Sequence, residues 1–307
     1  MARRRAALGA LCAAVLAALG GCGAGAGAAT EGATLLVTRD FGHTVMLREG
    51  RPETRGSDTV MRLLARNAKV TTRYGGGFVQ SIDGVAGGQE DGRLVDWFFY
   101  VDGVQAERGA VDVPVEDGAA IWWDHHDWEA GPAGGSAVVG SFPAPFSRAR
   151  TTALACVPAG TDACAATADA LRDTGTRVEE VPAAGVGRGD RPGVLVGTLE
   201  EIASAPGARS LREGPAASGV YARPSRDGAA IALLDERGRR VRTVGAGAGL
   251  VAATSTAGAP PVWVVTGTDR AGVRAAAGAL DGRTLRARFA VAVAGGRAIA
   301  LPEVGAR

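Results

Sequence analysis

Four of the five tryptophans in this chain fall between positions 97 and 128, although aromatic residues make up only 5% of the whole. The stretch reads DWFFYVDG from Asp96 and, after a polar spacer, VEDGAAIWWDHHDW from Val115. Aromatic rings bring large apolar areas and directional contacts, so this stretch must hold either the core of a domain or a recognition surface. Successive side chains of a strand point to opposite faces. Trp97 and Phe99 therefore share one face and Phe98 and Tyr100 the other, and Trp122 and Trp123 are divided in the same way. A sheet with aromatic residues on both faces buries one under its own domain. The second is left for another domain, a ligand or a partner protein. An aromatic surface carrying a few polar groups suits a flat apolar ligand or a sugar ring.

The N-terminus bears on the compartment. Arg3, Arg4 and Arg5 form a basic segment, Ala6 to Leu19 is apolar, and Leu19-Gly-Gly-Cys22 follows. A basic segment, a short apolar run and small residues before a cut describe a secretory signal. The run is too short to span a bilayer, which takes about 20 apolar residues. The ending resembles the bacterial lipobox, which implies diacylation of Cys22 and cleavage just before it; the alternative is an ordinary signal peptide with a chance cysteine. The expected location is the outer face of the cell membrane, held through the N-terminal lipid. The formal net charge of +2 includes the signal arginines, so the mature chain carries no basic footprint for nucleic acid. Cys156 and Cys164, eight apart, are expected to form a disulfide, since disulfides persist in exported proteins.

The expected domain order follows from composition and pattern. Residues 1–21 are the signal and 22–32 a Gly/Ala tether. A first domain covers 33–129, a Gly/Pro connector 130–150, and a second domain 151–307. In the first domain Thr34–Thr38 and Thr44–Leu47 read as strands. Ser57 or Asp58 caps a helix with Val60, Leu63, Leu64 and Asn67 on one face. Val70–Tyr74, Gly77–Gly84 and Trp97–Val101 read as further strands, the last ending in the tight-turn pair Asp102-Gly103. Val111–Val115 and Ala119–Trp123 complete the sheet. One helix covering one face of a sheet is an α+β layer design. Phe142-Pro143 and Pro145-Phe146 make the connector stiff and partly buried.

Three runs carry a family resemblance. Gly77-Phe-Val-Gln-Ser-Ile-Asp-Gly-Val, Asp96-Trp-Phe-Phe-Tyr-Val-Asp-Gly and Val115-Glu-Asp-Gly-Ala-Ala-Ile-Trp-Trp resemble the signature runs of the DUF4430 family. This is the β-grasp-like domain also found at the C-terminus of transcobalamin and intrinsic factor. Asp102 stands where the family usually has Asn, and Ala119 where it has a second Asp. The resemblance implies a β-grasp-like sheet and, in the transcobalamin branch, a domain that closes over a corrinoid held against a second domain. The second domain here does not read as the helical barrel of those proteins.

In the second domain, strands are expected at Thr152–Ala155, Val178–Val181, Val194–Thr198, Val220–Ala222, Ile231–Leu234, Val241–Val244 and Val262–Thr266. Helices are expected at Ala163–Asp173, Leu199–Ala205 and Arg270–Leu280, the last capped by Asp269. Arg286–Ala294 and Arg297–Leu301 read as a terminal hairpin. Alternating strands and helices predict an open α/β sheet. Gly247-Ala-Gly249-Leu-Val-Ala252, with Asp269 at the end of the next strand, mimics a dinucleotide fingerprint. Its intervening helix, Leu250 to Ser255, is too short for that role, so the expectation is a Gly-rich loop packing a short helix on the sheet.

No catalytic constellation is legible. All three His residues lie in the first domain, away from Ser141, Ser218 and Ser255, and the single lysine, Lys69, excludes a P-loop. Asp124-His125-His126-Asp127 reads as a polar strand exit whose two imidazoles diverge and whose His and Asp residues are solvated or hydrogen-bonded, so no metal site is expected. The ligand-contact candidates are Phe98, Tyr100, Trp123, His125, His126 and Trp128, placed at a cleft between the domains. The leading expectation is a non-catalytic, membrane-anchored binding module. Its ligand would be a corrinoid or similar small molecule passed to the membrane component of a transporter. The alternatives are an envelope-interaction protein recognising polysaccharide or a protein partner, and an extracellular hydrolase.

Overall fold

A computed structural model describes residues 30–90, 92–127, 136–256 and 258–303. The signal segment, Cys22 and Trp128 lie outside the described residues. The chain is α+β, with several sheets and few helices.

In the N-terminal half, β1 (Thr34–Arg39) and β2 (Thr44–Glu49) form a hairpin. Helix α1 spans Val60–Asn67, with Val60, Met61, Leu63 and Leu64 buried. Its cap is Thr59, whose side chain accepts from the Arg62 N–H, and not Ser57 or Asp58. Asp58 instead accepts from the Arg55 N–H at 2.8 Å and pairs with Arg66. A small antiparallel sheet follows, made of β3 (Val70–Arg73), β4 (Phe78–Ile82) and β5 (Val85–Ala86). Then come β6 (Gly88–Glu90), β7 (Arg93–Val101), β8 (Val104–Gln105) and β9 (Ala120–Asp127). The main sheet runs β2-β1-β9-β7-β6, with β8 added on β7. Its first and last long strands, β1 and β9, lie side by side in parallel, and their outer neighbours β2 and β7 are antiparallel to them. This is the β-grasp-like arrangement. Asp102 and Gly103, with φ of 52° and 82°, make the β7–β8 turn, the left-handed pair that a two-residue hairpin requires.

The strand expected at Val111–Val115 is absent; the segment makes one bridge, Thr59 to Pro114. Its backbone is used elsewhere. The Val60 and Met61 N–H groups donate to the carbonyls of Val113 and Ala110, satisfying first-turn donors of α1 that no helical partner can reach. β9, by contrast, runs four residues beyond its expected end at Trp123, through Asp127.

The C-terminal half begins with β10 (Thr151–Val157), α2 (Asp162–Arg172), β11 (Arg177–Glu180) and β12 (Gly193–Thr198). Next come α3 (Pro206–Glu213) and α4 (Pro215–Ser218), and a three-stranded sheet of β13 (Ala222–Pro224), β14 (Ile231–Leu234) and β15 (Arg240–Val244). β16 (Gly249–Thr254), β17 (Val262–Gly267), α5 (Arg270–Ala277), β18 (Ala290–Ala294) and β19 (Arg297–Leu301) close the order. The large sheet runs β11-β10-β12-β17-β16-β18-β19, parallel over its first four strands and antiparallel beyond. Asp269 caps α5, accepting from the Gly272 N–H at 2.8 Å. The Cys156–Cys164 disulfide joins the end of β10 to the first turn of α2.

Two expected helices in this half are not formed. Leu199–Ala205 is a run of turns, and the helix starts at Pro206 instead. Proline is well placed at a first helical position and holds the residue before it extended; Ala205 has φ −71° and ψ 144°. Leu250–Ser255 is not a helix, because Gly249–Thr254 is a strand between β17 and β18 with every residue buried. A strand covered on both faces shows no alternation and cannot be told from a buried helix by periodicity. The dinucleotide reading falls with it. Asp269, its would-be ribose ligand, accepts from the Gly247 N–H at 2.7 Å while capping α5.

The two halves share one core. Leu35, Val37, Trp97, Phe99 and Trp123 face α1 and the small sheet. Phe41, Tyr100 and Trp122 face the other way and pack with Tyr221, Phe289 and the apolar face of the large sheet. The connector lies along the join: Val138 donates to the Gly103 carbonyl, Val139 donates to that of Phe289, and Phe146 packs on Trp263 with ring centroids 4.9 Å apart.

Candidate functional site

The face of the β-grasp-like sheet turned toward the second half is built as a row. Arg48 pairs with Leu36, Leu36 with Trp122, and Trp122 with Tyr100, so four adjacent strands present these four side chains on one side. The two ends of this face have different fates.

At the Asp124 end the face is covered. Phe289 is the central plug, with ring centroids 5.2 Å from Phe41, 5.6 Å from Tyr100, 5.2 Å from Trp122 and 5.5 Å from His126. Beneath it lies a polar hub. The Asp124 side chain is 0% exposed. Its carboxylate accepts from the Thr38 hydroxyl, from the Phe41 and Gly42 N–H groups at 3.1 and 2.8 Å, and from His126 Nδ1 at 2.8 Å. Thr38 Oγ1 in turn accepts from Trp122 Nε1 at 2.6 Å. The β1–β2 turn that offers these two N–H groups is left-handed at Asp40, Phe41 and Gly42, with φ of 59°, 57° and 83°. Gly42 is required there: a methyl group would strike the Ala287 carbonyl of the second half. Gly140 meets the same segment, with an added Cβ falling 2.6 Å from the Arg288 nitrogen.

At the other end the face is open. A cleft of about 840 Å³ lies between the sheet, the connector and the segment before β18. Leu36 and Trp122 line its floor, Ser141 and Phe142 belong to its connector wall, and Arg48, Arg148 and Arg286 also border it. Arg148 is committed to Asp102 at 2.7 Å and to Glu116 at 2.5 Å. The Ser141 hydroxyl is buried without a hydrogen-bond partner. A smaller crevice of about 290 Å³ opens at the C-terminal ends of β10 and β12, beside the disulfide and the start of α2. That is where the chain reverses direction across the parallel strands, a common ligand position in open α/β sheets.

The residues singled out from sequence are not brought together at one open site. Trp123 stacks on Phe99 at 4.9 Å in the α1-facing core, with its indole N–H buried and unpartnered. His125, on the same face, is 2% exposed, lies 5.0 Å from the Trp97 ring and meets the Ala86 carbonyl through Nε2 at 3.2 Å. Phe98, Tyr100 and His126 lie on the opposite face, within the join. Phe98 stacks on His126 at 4.4 Å, and burial pushes the Tyr100 phenol well above its usual range. The Asp-His-His-Asp segment continues β9 instead of leaving it; its two imidazoles diverge, and its polar groups are hydrogen-bonded inside the fold. The described cleft lies at the start of β9, around Ala120 and Trp122, not at the end where it was expected. Arg48 and Arg286 carry no sequence signal, and Ser141 and Phe142 stand out there only as a serine without a base and as part of the stiff connector; the register of Arg48 and Leu36 with Trp122 becomes visible only in the sheet.

Burial, the main influence on His125, pushes its imidazole below the usual value of 6.5, with Arg39 adding to the fall; Glu90, the Ala86 carbonyl and Asp124 oppose it. The unfolded chain therefore takes up a proton at this position at a higher pH than the folded one. Its contribution to stability is complete above the unfolded value and declines as the pH drops through it toward the folded value. Urea unfolding between about pH 7.5 and 5.5 should show the wild type losing stability relative to His125→Phe, by at most about 1.4 kcal/mol per pH unit for one proton. Parallel pH profiles for the two proteins would contradict this.

Residues 57–127 match the family model described as Domain of unknown function (DUF4430). The match begins before α1 and ends with the last residue of β9. No curated protein and no solved structure matches the chain.

Proposed function

We propose that this chain is a non-catalytic binding protein, held at the outer face of the cell membrane through a lipid on Cys22, with its ligand seated in the cleft between the DUF4430 sheet and the second half. The cleft carries this reading. It is of the size that small-molecule sites have, roughly 300–1,000 Å³, and it combines an apolar floor at Leu36 and Trp122 with a few polar groups at its border. The LGGC segment and the Cys156–Cys164 disulfide fit an exported, anchored protein. The absence of catalysis is supported by how the most reactive-looking side chains are used: His126 and Asp124 are spent on holding the β1–β2 turn under a packed aromatic plug. A corrinoid is the ligand candidate implied by the resemblance to the transcobalamin branch, with delivery to a membrane importer as its use.

Two measurements test this reading. Radiolabelled palmitate should be incorporated into the wild type and lost in Cys22→Ala. Cobalamin and cobinamide should co-elute with the purified protein at micromolar concentration, and Ser147→Trp, on the exposed rim of the cleft, should abolish retention. Failure of both corrinoids to bind removes that ligand; labelling that survives in Cys22→Ala removes the anchor.

A further inference from the structure

The charge around the cleft narrows what it can hold. Resting on the reading that the cleft is the ligand seat, but not on a corrinoid as its occupant, we infer that its ligand is an organic anion: an apolar body on Leu36 and Phe142 with an acidic group at Arg48 and Arg286. Three arginines border the cleft. Arg148 is already neutralised by Asp102 and Glu116. Arg48 and Arg286 are exposed, and neither has an ion-pair or hydrogen-bond partner among the described residues.

The acidic residues at the border, Glu49 and Asp117, make no ion pair with either of them. Asp117 accepts from the Glu31 N–H at 2.8 Å, which fixes its carboxylate on the Gly32 and Gly118 side of the cleft without making an ion pair to Arg48 or Arg286. Glu49 pairs in register with Leu35, whose side chain belongs to the α1-facing core, so it leaves β2 on the side away from Arg48. Arg48, one residue earlier, shares the face of Leu36 and Trp122. The cleft therefore has two uncommitted guanidinium groups on its own side of the sheet. They belong to two parts of the chain, β2 and the segment before β18, which the Gly42 and Gly140 contacts hold together. A guanidinium presents paired donors that match a carboxylate or phosphate. The apolar floor beside them supplies the part of the site that neither charge would recognise.

The test uses 2-naphthoate and its uncharged analogue 2-naphthamide as probes, with the full chain in mild detergent and binding followed by saturation-transfer NMR. Naphthoate should bind at least about tenfold more tightly than the amide, the range expected for a charge-assisted contact. Arg48→Gln and Arg286→Gln should each remove most of that preference and leave amide binding unchanged. Ser147→Trp should block both probes. Equal affinity for acid and amide, with both blocked by Ser147→Trp, overturns the anionic ligand and leaves the cleft standing. No binding of either probe at millimolar concentration, or binding that ignores Ser147→Trp, overturns the cleft and the inference together. The exposed positions of Arg48, Arg286 and Ser147 keep the variants foldable, and an unchanged thermal midpoint checks this.

Discussion

Replacing Asp124 with alanine should cost about 3–5 kcal/mol of folding stability, because it leaves several buried donors without their shared acceptor. The carboxylate is fully buried and is the common acceptor for the Thr38 hydroxyl, the Phe41 and Gly42 N–H groups and His126 Nδ1. Alanine strands all four donors, and each unsatisfied buried group costs about 1–3 kcal/mol. Water entering the vacated volume offsets part of that sum. A second effect adds to it. The β1–β2 turn holds two non-glycine residues, Asp40 and Phe41, in left-handed conformation, at about 1–2 kcal/mol each. The carboxylate is what secures the Phe41 N–H there. Without it the turn can relax, which would withdraw the Phe41 ring from Phe289 and Tyr221. Asp124→Asn should lie between wild type and alanine, since it keeps one acceptor oxygen and sets an amide N–H₂ against donors. Urea unfolding measures all three; a loss below about 1 kcal/mol for alanine, no more than a single ordinary hydrogen bond, would show that the hub is not what holds the turn.

That hub also shows where the sequence was legible and where it stopped. Alternation separated Trp97 and Phe99 from Phe98 and Tyr100, and Trp122 from Trp123; only the register of β7 with β9 puts Trp123 with the first pair and Trp122 with the second. The Asp102-Gly103 turn, the apolar face of α1 and the Asp269 cap were readable because each rests on local chemistry. For Asp124-His125-His126-Asp127 the sequence leaves solvent and hydrogen bonding open and ends the strand too early, whereas β9 continues through Asp127. The segment's partners come from 38–42 and from Ala86, and no short-range pattern announces them. β16 was misread because a strand buried on both faces carries no periodic signal. The cleft was the least legible of all. Its border is drawn from β1, β2, β9, the connector and Arg286, residues that only the packing of the two halves brings together.

Whether those halves stand or fall together is decided at Phe289. This ring, 4% exposed, touches four aromatic side chains of the N-terminal half. Its own carbonyl accepts from Val139 in the connector. Phe289→Ala should cost about 3–5 kcal/mol, as large-to-small aromatic substitutions in cores do. Cavity collapse is hindered here, because Gly42 and Gly140 already place the neighbouring backbone at contact with Ala287 and Arg288. The consequence differs in kind from that of Asp124→Ala, which loosens one half from within. Removing Phe289 weakens the join itself while leaving the α1-facing core and the α2- and α5-facing side of the large sheet intact. Tryptophan fluorescence reports mainly on the N-terminal half, where four of the five tryptophans lie, and far-ultraviolet circular dichroism reports on both. The two signals should give one coincident transition in the wild type, the mark of two-state unfolding, and separate in Phe289→Ala. Coincident transitions in the variant, or a loss below about 1 kcal/mol, would mean that the halves are coupled through the connector and not through the aromatic plug. In the expected case the cleft inherits the dependence. Its floor and its wall come from opposite sides of the join, so Phe289→Ala should also weaken ligand retention, although Phe289 does not itself border the cleft.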